Sequence, residues 1–136
     1  MAHIMVDMET FGTRPGSVIR SLGAVVFNER TGALGETFYA NIDRASCEAA
    51  GLLVDPDTEA WWEQQSNAAR EALEVDQQPL EDVIDGFNLW WARNNGQYIW
   101  SQGANCDEVL LGVAMRAIGR DVPWDFWNVR CSRTVL

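Results

Sequence analysis

Lysine is missing from this chain of 136 residues, and all ten of its basic residues are arginines. Twenty Asp and Glu outweigh them, leaving a formal net charge of -10. That balance argues against holding nucleic acid through a broad basic surface. An acidic protein can still hold a phosphate where bound divalent cations supply the positive charge locally. A few arginines could make bidentate phosphate contacts, but most are expected to be solvated surface charges. Cysteine is equally sparse: Cys47, Cys106 and Cys131 are odd in number and form no CxxC pair. Neither a disulfide framework nor a zinc site is indicated, and three small buried thiols are expected. No apolar run approaches the roughly 20 residues of a membrane-spanning helix. The start lacks the basic region and long apolar stretch of a signal peptide, so a cytoplasmic protein with no membrane partner is expected. Internal repeats, low-complexity tracts and linkers are absent too, which leaves one domain over 1–136.

What the chain does have is an apolar run that ends in two carboxylates, His3-Ile4-Met5-Val6-Asp7-Met8-Glu9-Thr10-Phe11-Gly12. On an extended strand, positions i and i+2 share a face, so Asp7 and Glu9 stand side by side. Two adjacent ionised carboxylates repel, and the usual remedies are a shared proton or a bound cation. Hard oxygen donors of this kind suit magnesium or manganese. The spacing recurs at Asp57-Thr58-Glu59. There Asp55 can cap a helix, Pro56 suits its first position, and the acids complement the helix dipole.

Apolar runs and turn residues predict further strands over residues 17–28, 36–42, 97–101 and 128–131. Helical periodicity predicts helices over 47–52, from Asp57, over 68–74, over 79–94 and over 105–118, with Asn105 as a cap and Gly119 as a stop. A further helix is expected to start at Arg133. Three antiparallel strands, a helical section and then strand, helix, strand give a mixed α/β order. Among the seven tryptophans, Trp90, Trp91 and Trp100 are expected in the core, while Trp124 and Trp127 pack a loop. Trp61 and Trp62 are neighbours on a helix and cannot both point the same way, so one is expected inward and one toward a cleft.

Asp107 is the third acid of interest, in the first helical turn after the fourth strand. If the first and fourth strands are neighbours, it approaches Asp7 and Glu9; complementing the helix dipole accounts for its position equally well.

The residues Val6-Asp7-Met8-Glu9-Thr10 and Trp100-Ser101-Gln102-Gly103-Ala104-Asn105-Cys106-Asp107 resemble the first two motifs of the DnaQ-like, or DEDD, 3'-to-5' exonucleases. Ser21-Leu22-Gly23-Ala24-Val25-Val26-Phe27, Trp61-Trp62 with Gln65-Ser66, Ala69-Arg70, and the segment from Pro123-Trp124 to Arg133-Thr134 extend the likeness over the whole chain. They resemble the branch of phage exonucleases, exodeoxyribonuclease VIII-type and exoribonuclease-like proteins. The resemblance implies a ribonuclease-H-like fold: a mixed sheet of three antiparallel strands followed by parallel strands, with flanking helices. It also implies two-metal phosphodiester hydrolysis with two Mg2+ or Mn2+ ions. By resemblance, Asp7 bridges both ions, Glu9 holds the one that activates water, and Asp107 supports the second. Thr10 and Phe11 would lie against the 3'-terminal nucleotide of single-stranded DNA or RNA, joined by Trp61 or Trp62 at the cleft.

Two departures stand out. Cys106 replaces the aromatic residue that usually precedes the family's Asp. More seriously, the family's third motif, a His followed five positions later by an Asp, has no counterpart. The only histidine is His3, which is expected to be structural, and nothing after Asp125 is acidic. The expectation is a domain without its C-terminal catalytic helix, inactive or impaired as this chain, with a second copy pairing on the face left open. The alternative is a non-catalytic nucleic-acid-binding or assembly module.

Overall fold

The computed structural model describes residues 1–102 and 107–131. The expected cap at Asn105, the packing change at Cys106 and the helix starting at Arg133 lie outside the described residues. Five strands form one sheet in the order β3-β2-β1-β4-β5. These are β1 (Ala2–Thr10), β2 (Ile19–Phe27), β3 (Leu34–Asn41), β4 (Gly96–Ser101) and β5 (Val129–Cys131). The first three pair antiparallel, while β4 and β5 join parallel to β1 and to each other. This is the expected mixed sheet.

The helices are α1 (Arg44–Ala49), α2 (Pro56–Glu63), α3 (Asn67–Glu74), α4 (Leu80–Arg93) and α5 (Asp107–Ala117). Local chemistry sets most of their boundaries. Asp43 accepts from Ser46 N–H at 2.9 Å, which starts α1 three residues before the predicted position. Gly51, at φ 93°, turns the chain away before the predicted end at Leu52. Asp55 caps α2 by accepting from Asp57 N–H at 2.9 Å, with Pro56 at the first position, as its sequence implies. The Ser66 hydroxyl caps α3 by accepting from Ala69 N–H. Proline cannot cap α4 through its side chain; the Ser46 hydroxyl instead takes Leu80 N–H at 2.9 Å.

Alternation along β1 sorts its two faces. Ile4, Val6 and Met8 point into the core with Leu22, Ala24, Ala40 and Ile99. Helix α4 covers them with Val83, Ile84, Phe87, Trp90 and Trp91, and α5 with Leu110, Leu111, Ala114 and Met115. Burying each such aliphatic side chain contributes about 1.5–3 kcal/mol, so this layer dominates stability. The odd-numbered residues of β1 face the other way. There His3 stacks on Tyr98 with ring centroids 4.4 Å apart, and Phe27 meets Trp100 edge to face at 5.7 Å. Trp100 is therefore not a core residue as expected, because Ile99 occupies the inward position of β4. Trp124 is buried, whereas Trp127 is 62% exposed. Among the described residues, no helix is long and apolar enough to cross a membrane.

Candidate active site

Parallel pairing of β1 with β4 decides where the acids meet. Their ladder runs from Ala2↔Gly96 to Val6↔Ser101, so both strands finish at the same edge of the sheet. Asp7 and Glu9 lie beyond or at that edge on the outward face of β1, and both are exposed. Asp107 opens α5 beside them and is buried. One of its carboxylate oxygens, Oδ2, accepts from Met8 N–H at 3.1 Å. The third acid is thus held on the backbone between the other two. The neighbouring Glu108 is buried as well, and its carboxylate takes the Ser101 hydroxyl, which ties the start of α5 to the end of β4.

The electrostatics follow from this crowding. Burial raises the Asp107 carboxyl from 3.8 to about 6 against the opposing Met8 N–H bond, and the charges of Asp7, Glu108 and Glu9 push it further in the same direction. Glu9 is also raised, first by partial burial and then by Asp7, while Arg20 pulls it back. Hard oxygen donors crowded in this way have the chemistry that divalent cations favour, and a cation there would relieve the repulsion. Among the described residues, no three His, Cys, Asp or Glu side chains are grouped closely enough to hold a metal ion as they stand.

Beside the acids, α2 forms the wall of an open groove of about 410 Å³, a volume in the range of ligand sites. Glu9, Thr10 and Thr13 line one side, and Asp57, Thr58 and Trp61 the other. The Trp62 indole Nε1–H donates to the Thr10 carbonyl at 2.8 Å, and the Asp55 backbone N–H donates to the Phe11 carbonyl at 2.8 Å. These two bonds dock the helix onto the end of β1. Of the predicted pair of tryptophans, Trp62 is 7% exposed and faces inward, while Trp61 is 53% exposed and packs edge to face on it. Phe11 is buried beneath the groove rather than along it. His3 sits at the far end of β1, where its Nδ1 accepts from Trp100 Nε1–H at 3.0 Å and its Nε2 lies 3.4 Å from Glu29.

Sequence reasoning missed Arg20 and gave Asp57 only a capping-end role. Arg20 is a lone charge inside the apolar run Val18-Ile19-Arg20-Ser21-Leu22, and that was the available signal. Asp57 gave none, since its place in the groove depends on the docking of α2 onto residues some fifty positions earlier.

The family model described as the Rv2179c-like 3'-5' exoribonuclease domain matches residues 2–136. Escherichia coli exonuclease I, solved with a 5cy-dA13 oligonucleotide, is similar at a TM-score of 0.63 and 15% identity, over 96% of this chain and 27% of that one. A second exonuclease I structure gives 0.55 at 16% identity, again over 96% and 27%. This chain therefore spans 27% of the length of those structures, and the likeness is one of fold, the ribonuclease-H-like exonuclease fold. No curated protein matches the chain.

Proposed function

The chain belongs to the Rv2179c-like 3'-5' exoribonuclease domain family, within the DnaQ-like superfamily, and from that membership we propose that Asp7, Glu9 and Asp107 are its metal-binding, catalytic acids. The reading is a 3'-to-5' exonuclease that releases nucleotides from single-stranded DNA or RNA ends. The observation that carries it is the bond from Met8 N–H to Asp107, which brings acids 100 positions apart in sequence to one strand end. Mg2+ or Mn2+ held by these three residues would supply an activated water and charge neutralisation at the leaving oxygen. The chain's own part is to preset the donors: β1 presents Asp7 and Glu9 on one face, and α5 delivers Asp107 to its backbone. The groove beside Glu9 offers Trp61 for stacking on a terminal base and the hydroxyls of Thr10, Thr13 and Thr58 for its sugar. Thr10 itself donates to the Gly12 carbonyl, which fixes the turn under that sugar. Phe11 supports the groove from below.

A general base is a separate matter. His3 is the one histidine among the 136 residues. It lies four positions from Asp7 on the strand, about 13 Å away, and is engaged with Trp100. It does not serve the acids, and lacking a general base costs on the order of 100-fold to 10,000-fold in rate. We accordingly expect impaired turnover from this chain.

The test uses 5'-labelled single-stranded RNA and DNA with Mn2+. Stepwise shortening from the 3' end that Asp7→Asn abolishes supports the enzyme. Mn2+-dependent binding without shortening supports the non-catalytic alternative, and neither result in the wild type refutes both. The partly buried aromatic cluster of His3, Phe27, Tyr98 and Trp100 on the outward face supports pairing with a second copy. A monomeric mass by light scattering would count against that pairing.

A further inference from the structure

Between Glu9↔Ser21 and Thr10↔Ile19 the register of β1 and β2 slips: one step along β1 spans two along β2. The extra residue is Arg20. Such a bulge leaves its residue out of the ladder and re-aims its side chain. Here the guanidinium turns under the groove, with its carbon 4.5 Å from the centroid of Phe11 and 4.7 Å from that of Trp62. Arg44, anchored by Glu48 and Glu59, approaches the same Phe11 ring at 5.1 Å.

Arg20 is 7% exposed, yet among the described residues its guanidinium makes one long ion pair, 3.9 Å to Glu74, a more distant attraction to Glu9, and no side-chain hydrogen bond. Burying a charge with so little pairing is costly, and aromatic faces recover about 2 kcal/mol when the cation is desolvated. A cation placed for stability alone gains more from a close carboxylate. What this position achieves is to bind three elements together: the loop after β1 through Phe11, the bulge of β2, and α2 through Trp62. Trp62 in turn holds the Thr10 carbonyl and backs Trp61.

We propose that Arg20 is a positioning residue of the nuclease site, acting through Phe11 and Trp62 to hold Trp61 and the Thr10 turn in register with Glu9 for the 3'-terminal nucleotide. The proposal rests on the exonuclease reading above. It makes the free 3' end, rather than the body of the strand, the part of the substrate that depends on Arg20.

The experiment measures anisotropy of a 5'-fluorescein single-stranded 10-mer in Ca2+, with either a 3'-hydroxyl or a 3'-phosphate. Wild type is expected to prefer the free hydroxyl. Arg20→Met should reduce that preference at least several-fold, and Arg20→Lys should restore it only in part, because an ammonium lacks the planar stacking face. Loss of stability alone would lower the urea midpoint without changing the ratio of the two affinities. Should Arg20→Met fail to fold, Trp62→Leu and Phe11→Leu remove the aromatic faces one at a time, and each should lower the same ratio. A preference retained in all of these variants overturns the proposal alone. No preference in the wild type overturns the exonuclease reading on which it stands.

Discussion

The Asp107 carboxylate accepts the Met8 N–H at 3.1 Å where the β1–β4 ladder has ended at Ser101. One side chain thus ends a strand pairing and supplies the third acid of the site. The two roles separate by mutation. Asn in place of Asp107 keeps an oxygen for Met8 and removes the charge. Asp107→Asn should therefore fold at least as stably as the wild type at neutral pH, while losing any thermal stabilisation by Mn2+. Asp107→Ala leaves Met8 N–H buried and unbonded, at a cost of about 1–3 kcal/mol. Urea titrations of both variants, with and without Mn2+, check this; equal destabilisation by the two would contradict it.

The raised Asp107 carboxyl predicts a pH dependence with a definite sign. Its folded value of about 6 exceeds its ordinary 3.8, so the folded chain binds this proton more tightly than the unfolded chain. Its contribution to stability is complete below the ordinary value and is lost as pH rises through the folded one. In EDTA, the wild type should lose stability relative to Asp107→Asn between pH 3.8 and about 6. A difference that stays flat across that window would show that the carboxyl is not perturbed.

The order of strands and helices was legible in the sequence because apolar runs, caps and turn residues agree with one another. Asp55-Pro56 started α2 by chemistry that needs no tertiary partner, whereas the Ser66 cap that starts α3 went unanticipated. The acids were legible as a pair through the period of two. What escaped depended on contacts between distant segments. Trp100 reads as core in an apolar strand, yet register against β1 sends it to the outward face. Arg20 sits in a bulge, and a bulge breaks the alternation from which facing is inferred. Asp57 belongs to the groove only because Trp62 and Asp55 dock α2 on the end of β1.

Trp61 and Trp62 should answer differently to truncation. Trp61→Ala removes an exposed ring and should leave the urea midpoint nearly unchanged, while weakening single-strand binding by about 1–3 kcal/mol. Trp62→Ala empties a buried position and should cost about 3–5 kcal/mol of stability. Paired unfolding and anisotropy measurements decide the matter. Comparable binding losses without destabilisation in both would mean that both rings touch the strand.

Gly12, buried where the chain leaves β1, predicts a sharp structural sensitivity. The turn is pinned on each side: Phe11 N–H donates to the Val18 carbonyl at 2.9 Å, and the Ser17 hydroxyl donates to the Arg14 carbonyl at 2.6 Å. A Cβ built on Gly12 runs into that same hydroxyl oxygen and lies 3.0 Å from the Ser17 Cβ. Neither neighbour can retreat without breaking the turn, so Gly12→Ala should cost about 1–3 kcal/mol, the usual range for overpacking. Because Gly12 also lines the groove beside Glu9 and Thr10, the strain should reach the binding of a 3' end as well. Ser17→Gly removes both clashing atoms, and in that background the alanine at position 12 should lose most of its penalty. A double-mutant cycle by urea unfolding measures the coupling. Additive effects would place the cost of the alanine elsewhere than at Ser17.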